Sequence, residues 1–152
     1  MGSKALQPAT AVLYDQDFFT WTVETARLLR DRRLSEVDIE HLAEEVEDMG
    51  KSQKREASSR LTVILLHLLK WEWQPDKGST SWRSTLSTQR RELRKLFQDS
   101  PSLRRTVGAS LLEDYPDAVR DASIETGLPL DAFPRKCPFT EEQVLDQGFL
   151  PD

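Results

Sequence analysis

A chain of 152 residues, 38% apolar and 31% charged, has the size and polarity of one globular domain that stands without disulfides or a structural metal. Its net charge of -5 and pI near 5.2 repel phosphate backbones, so nucleic-acid binding would need a local basic patch. The single cysteine, Cys137, excludes an internal disulfide and a CxxC metal knuckle and favours a reducing compartment.

Residues 1–13 lack periodicity and read as a flexible leader, ahead of a single helical domain over 14–152. MGSKALQPAT has no signal-peptide layout. After Asp15, Phe18, Trp21, Thr25 and Leu28 recur at helical spacing and predict a first helix to about Arg33. In SEVD, Ser35 and Asp38 form a capping-box pattern for a second helix, whose stripe is Ile39, Leu42, Ala43, Val46 and Met49 and whose stop is Gly50. The third helix, about Lys51–Trp73, is apolar on nearly every side from Leu61 to Leu69, which places it centrally. That run is about half the ~20 residues a membrane span needs, so the expected setting is cytoplasmic with no membrane contact.

Pro75 to Thr80 reads as a loop, and a fourth helix starts near Ser81 with Trp82, Leu86, Leu93 and Phe97 on one face. Ser100 and Pro101 open a fifth that runs towards Glu125, with Pro116 kinking or dividing it and Gly127 ending it. The proline-punctuated tail carries one short helix capped by Thr140 and Gln143. Its Phe133, Phe139, Phe149 and Leu150 are expected to strap it across the helices. No strand pattern appears, so the fold class is all-α, a helical bundle of four longer helices plus shorter C-terminal helices.

Several polar residues stand where apolar ones are due. His67 lies on the flank of the third helix, on one ridge with Val63 and Trp71. A neutral imidazole there can bind a metal, move a proton or simply satisfy two hydrogen bonds in a core, and the last is the commonest role. The second helix is crowded with acids, most of them on a solvated face; Glu45 and Glu47 sit near the borders of the stripe and can reach a neighbouring helix, and Glu44 can where a third helix lies alongside. Gln89 and Arg90 interrupt the stripe of the fourth helix; a half-buried arginine needs a partner, and those acids are the candidates. Trp71 and Trp82 fall on buried stripes where the third and fourth helices meet, while Trp73 lies off the stripe. The Glu-x-x-His pairs of a di-iron bundle are absent: Asp38 precedes His41 and Ile64 precedes His67 at that spacing. No cofactor is therefore expected, and the one arrangement left for a metal is mononuclear, on His67 with Glu44, Glu45 or Glu47.

The segments YDQDFFTWTVETARLLR, LAEEVEDMG, SRLTVILLHLLKW, QP, SWRSTL, QRRELRKL, SPSL and ETGLPLDAFPRKCP, in this order, resemble a bacterial family known as domain of unknown function 29. The likeness runs from about Tyr14 to Pro151. It implies an all-helical fold and carries no established activity. It also implies that Glu44, Glu45, Glu47, His67, Leu69, Lys70, Trp71, Ser81, Trp82, Gln89 and Arg90 match the family pattern. His41 stands where that pattern implies asparagine, which counts against a two-histidine site, and Pro116 is atypical.

Three readings of function follow. The favoured one is a protein-interaction module that binds itself or another protein, because no catalytic motif is present. The alternative is a ligand- or metal-binding pocket or enzyme centred on His67, with the second-helix carboxylates, indole walls from Trp71 and Trp82, and Gln89 and Arg90 as an anion-holding edge. Nucleic-acid binding through Arg90, Arg91, Arg94 and Lys95 is disfavoured by the acidic total.

Overall fold

A computed structural model describes residues 7–152, which are helical with no strand among them. The elements are α1 (Ala9–Gln16), α2 (Phe18–Arg30), α3 (Ile39–Trp73), α4 (Thr80–Asp99), α5 (Pro101–Arg104), α6 (Val107–Thr126) and α7 (Glu141–Leu145), with short 3₁₀ turns at Leu34–Glu36, Pro75–Lys77 and Leu130–Ala132. The four longer helices are α2, α3, α4 and α6. The described residues cluster into two compact units, an N-terminal one up to Ser52 and a C-terminal one over Gln53–Asp152. Part of the expected leader is also structured: α1 begins at Ala9, while residues 1–6 lie outside the described residues.

In the N-terminal unit, Asp17 closes α1 and opens α2. Its backbone N–H donates to the Leu13 carbonyl at 2.8 Å, and its carboxylate accepts from the Thr20 amide at 3.0 Å and hydroxyl at 2.7 Å. One acidic side chain thus caps a helix start. Trp21, Thr25 and Leu28 are buried as their spacing predicts, whereas Phe18 is exposed. The end of α2 needs a left-handed residue and uses Arg32 (φ 58°), with Arg33 N–H bonded to Leu28 O and Arg32 N–H to Leu29 O, the Schellman pattern. A side chain in that conformation costs about 1–2 kcal/mol, which glycine would avoid.

The start of α3 differs from the capping box that SEVD suggests. Ser35 sits in the 3₁₀ turn, and Asp38 is the cap, its carboxylate accepting from the His41 amide at 3.4 Å. Gly50 does not stop the helix. The expected second and third helices are one 35-residue helix. A C-cap glycine acts through a positive φ, which Gly50 does not adopt, and the residues after it, Lys51 to Ala57, are helix formers with no breaker among them.

The C-terminal unit is built around the second half of α3. Leu61, Ile64, Leu65, Leu68 and Leu69 are fully enclosed, with Leu86 and Leu93 from α4, Val107 from α6 and Val144 from α7. Ser79 caps α4 by accepting from the Trp82 amide. The expected fifth helix is divided, but at Arg105–Thr106 and not at Pro116, which lies inside α6. Pro116 is exposed, so the Leu112 carbonyl that loses its donor lies on a solvent-facing side where water can replace it. Gly127 ends α6 in the left-handed conformation (φ 74°). The tail is strapped as expected: Phe133 and Phe139 are buried, Phe149 and Leu150 pack beside them, and Thr140 and Gln143 form the capping box of α7.

Candidate functional site

The expected site residues divide between the two units. Glu44, Glu45 and Glu47 belong to the N-terminal unit; His67, Trp71, Trp82, Gln89 and Arg90 belong to the C-terminal one.

In the C-terminal unit, His67 is half-buried, and its Nδ1 lies 2.8 Å from the Val63 carbonyl one turn back. A carbonyl only accepts, so Nδ1 carries the proton and Nε2 presents its lone pair. Burial pushes the imidazole pKa down, against the smaller upward pull of the Val63 carbonyl, and Lys70 adds to the fall. The ring is therefore held neutral. Lys70 is buried, although its place at a helix end suggests an ordinary basic residue. Its ammonium donates to Glu125 of α6 at 2.6 Å and stands 4.4 Å from the centre of the Trp82 ring. A desolvated ammonium is stabilised by such a carboxylate and indole face together. Trp71 meets Trp82 edge to face at 6.2 Å, and Arg83 covers the Trp71 indole at 5.3 Å. Gly78 lets the loop close over this corner, since a Cβ there would sit 3.1 Å from the Trp71 ring and from the Pro75 carbonyl.

The indole corner expected from the sequence thus exists, and the carboxylate supplied to it is Glu125, which the sequence pattern does not single out. Spacing offers no signal for it, since 55 residues separate Lys70 from Glu125. Trp73 points elsewhere, its indole N–H donating to the Ala132 carbonyl at 2.9 Å and its ring packing on Phe133.

Arg90 is buried as predicted, but its partners are not the carboxylates of the expected second helix. Its guanidinium donates to the carbonyls of Gln143 (3.0 Å), Val144 (2.8 Å) and Phe149 (2.8 Å). The first two are last-turn carbonyls of α7, where a cation also meets the negative end of the helix. Desolvation lowers its pKa, and Asp146 opposes that shift. Arg90 is a clamp for the tail. Gln89 accepts from Arg60 at 3.0 Å, and Arg60 also pairs with Glu56.

In the N-terminal unit, Glu44 and Glu47 are exposed, and Glu47 stands 4.0 Å from Lys51. Glu45 accepts a 2.5 Å hydrogen bond from the Tyr14 hydroxyl, which pushes that phenol up to about 12. Tyr14 stacks on His41 with ring centres 3.8 Å apart, and His41 Nδ1 lies 2.5 Å from Asp38. The Asp38 carboxylate raises the pKa of His41, with help from Glu44 and Asp15. Phe18 and Trp21 complete the aromatic cluster around Tyr14. His41 is not among the residues expected to form a site. The i, i+3 spacing of Asp38 and His41 is legible in the sequence, but Tyr14, which brings Glu45 into the cluster, comes from a separate helix.

Among the described residues no three His, Cys, Asp or Glu side chains are grouped so as to hold a metal ion. Cys137 is a partly buried thiol whose pKa is pushed up by burial, with its Sγ against the Phe139 carbonyl. No helix of the described residues is long and apolar enough to cross a membrane.

A family model described as "Domain of unknown function DUF29" matches residues 13–150. No curated protein and no solved structure matches the chain. With nearly its whole length matched, the chain belongs to the DUF29 family.

Proposed function

We propose that this DUF29 member is a cytoplasmic protein-interaction module whose N-terminal unit receives a basic amphipathic helix from another protein. The observation that carries the reading is where apolar side chains are left uncovered. Nine of the twelve large exposed apolar residues among the described ones fall in the N-terminal unit, the smaller of the two. On α3 they include Ile39, Val46 and Met49, 54%, 60% and 69% exposed. With Leu42 these take the a and d places of a short heptad seam, β-branched at a, as two-stranded helix pairs prefer. Uncovered apolar patches on soluble chains mark contact sites.

Charge selects the partner. Between Leu34 and Gly50 there are seven acids and no lysine or arginine. A second copy of the same stripe would set acid against acid, whereas lysine or arginine flanks on a partner helix would pair with them.

The test is a fluorescence-anisotropy titration with a synthetic helix that has a leucine stripe and lysine flanks. Saturable binding that weakens with added salt is expected, with roughly tenfold loss, equivalent to ~1.4 kcal/mol, in the Val46→Asp, Met49→Asp double variant. Both positions are exposed, so the fold should survive. Equal binding of a glutamate-flanked helix would sink the charge argument. A dimer by light scattering that the double variant dissolves would give the face to a second copy instead.

A second reading rests on the neutral His67 beside the Lys70–Glu125 pair and the two indoles, a corner that suits a small polar ligand donating to Nε2. His67→Ala should remove such binding with the helical fold intact; lost stability alone would leave His67 a core residue.

A further inference from the structure

Between α4, α5 and α7 of the C-terminal unit lies a cleft of about 420 Å³ that neither reading uses. Phe97, Pro101 and Leu145 give it an apolar floor. Arg90, Arg94 and Arg104 stand around it, and no carboxylate lines it.

The three guanidinium groups differ in what already holds them. Arg90 is committed to the carbonyls of the tail. Arg104 gives one N–H group to Glu141 at 2.9 Å and keeps the rest of its fork. Arg94 sits one turn beyond Arg90 on the same helix, is exposed, and has no ion pair among the described residues. The nearest acid in sequence, Glu92, is engaged by Arg91 and Lys95.

Three guanidinium groups around one cleft present a positive field to an anion, and an oxyanion there can accept two parallel N–H bonds from a fork. An inorganic ion would leave the apolar floor against water. We propose that this cleft binds a small amphiphilic anion, its oxyanion on Arg94 and Arg104 and its apolar tail across Phe97 and Leu145. The volume lies within the range of pockets that enclose such ligands, about 300–1,000 Å³. Carboxylate and phosphate headgroups share the required chemistry, and the clamp on the tail keeps Leu145 in place as one wall.

The test is a methyl-resolved NMR titration of the full chain with octanoate and with octyl phosphate, both below their micelle concentrations. Saturable shifts of the Leu145 methyl signals are expected with at least one of them, and the tighter binder identifies the headgroup. In Arg94→Gln, where the exposed side chain supports no packing, Kd should rise roughly tenfold. Octanol binding as tightly as the anions would overturn the proposal, as would inorganic phosphate doing so alone. So would an unchanged Kd in Arg94→Gln, or no saturable shift at Leu145 with either amphiphile.

Discussion

In the C-terminal unit nine large side chains, from Leu61 to Val144, are fully enclosed, whereas the buried apolar residues among the described ones of the N-terminal unit are Ala11, Trp21, Leu28 and Val37. Among the described residues the N-terminal unit buries the Trp21 indole N–H and the Thr25 hydroxyl without hydrogen-bond partners, and the larger C-terminal unit buries Asp114 Oδ2 so. Each such group costs about 1–3 kcal/mol. A segment of that size buries too little surface to be more than marginal by its core alone. Aromatic contacts about Tyr14, the Asp17 and Asp38 caps and the Tyr14–Glu45 bond make up part of the difference. Enclosed core and uncovered apolar surface thus fall in different stretches of one chain, the division the proposed interaction requires if binding elements come from the less stable end of a fold.

The sharpest way to probe this division is at the tail. Arg90→Ala should destabilise the C-terminal unit by about 1–3 kcal/mol, the cost of leaving buried carbonyls without a donor. Thermal unfolding and proteolytic release of residues after Thr140 would register it. If the tail stayed protected, the clamp would not be what holds it.

A smaller effect of opposite sign is expected at Gly50. No atom lies within 4 Å of a Cβ placed there, and the residue is helical, so Gly50→Ala should stabilise α3 by about 1 kcal/mol. Destabilisation would mean that Gly50 ends a helix, as the sequence alone suggests.

The two histidines give the smallest effects, in opposite directions. The pKa of His41, faced by Asp38, Glu44, Asp15 and the Tyr14 ring, is raised. Its contribution is complete below the unfolded value of about 6.5 and is lost as pH rises through the folded value above it. The pKa of His67, faced by Lys70 and Glu125, is lowered, so its contribution is present above about 6.5 and lost as pH falls through the lower folded value. Acidification from pH 8 to pH 5 should favour the N-terminal unit and weaken the C-terminal one. The two imidazole signals in an NMR titration should bracket the free-histidine midpoint, and coincident midpoints would contradict both assignments.

Much of the helical frame was legible because the C-terminal unit obeys periodicity. The all-round apolar run of Leu61–Leu69 is central, and the Thr140–Gln143 box and Gly127 act where their spacing says. The two glycines show what a local pattern lacks. Gly127 is followed closely by Pro129, which cannot continue a helix, while Gly50 is followed by seven residues without a breaker, six of them good helix formers. Arg32 ends α2 in a conformation that nothing in its identity announces. The candidate site was legible in its residue types and not in its partners. The burial of Arg90 follows from its stripe, but its carbonyl acceptors lie 53 or more residues away, and Lys70 finds Glu125 across 55. Such pairings depend on how helices are docked, which spacing within one helix does not encode.

Native-state hydrogen exchange on the full chain reads the opening free energies of the two units separately. Amides of α4, α6 and the Ala57–Lys70 stretch of α3 are expected to exchange only through the largest opening free energy, while those of α1 and α2 exchange through a smaller one and slow when the lysine-flanked helix is added. Uniform protection across both units, or a peptide that slows only the C-terminal amides, would contradict this division.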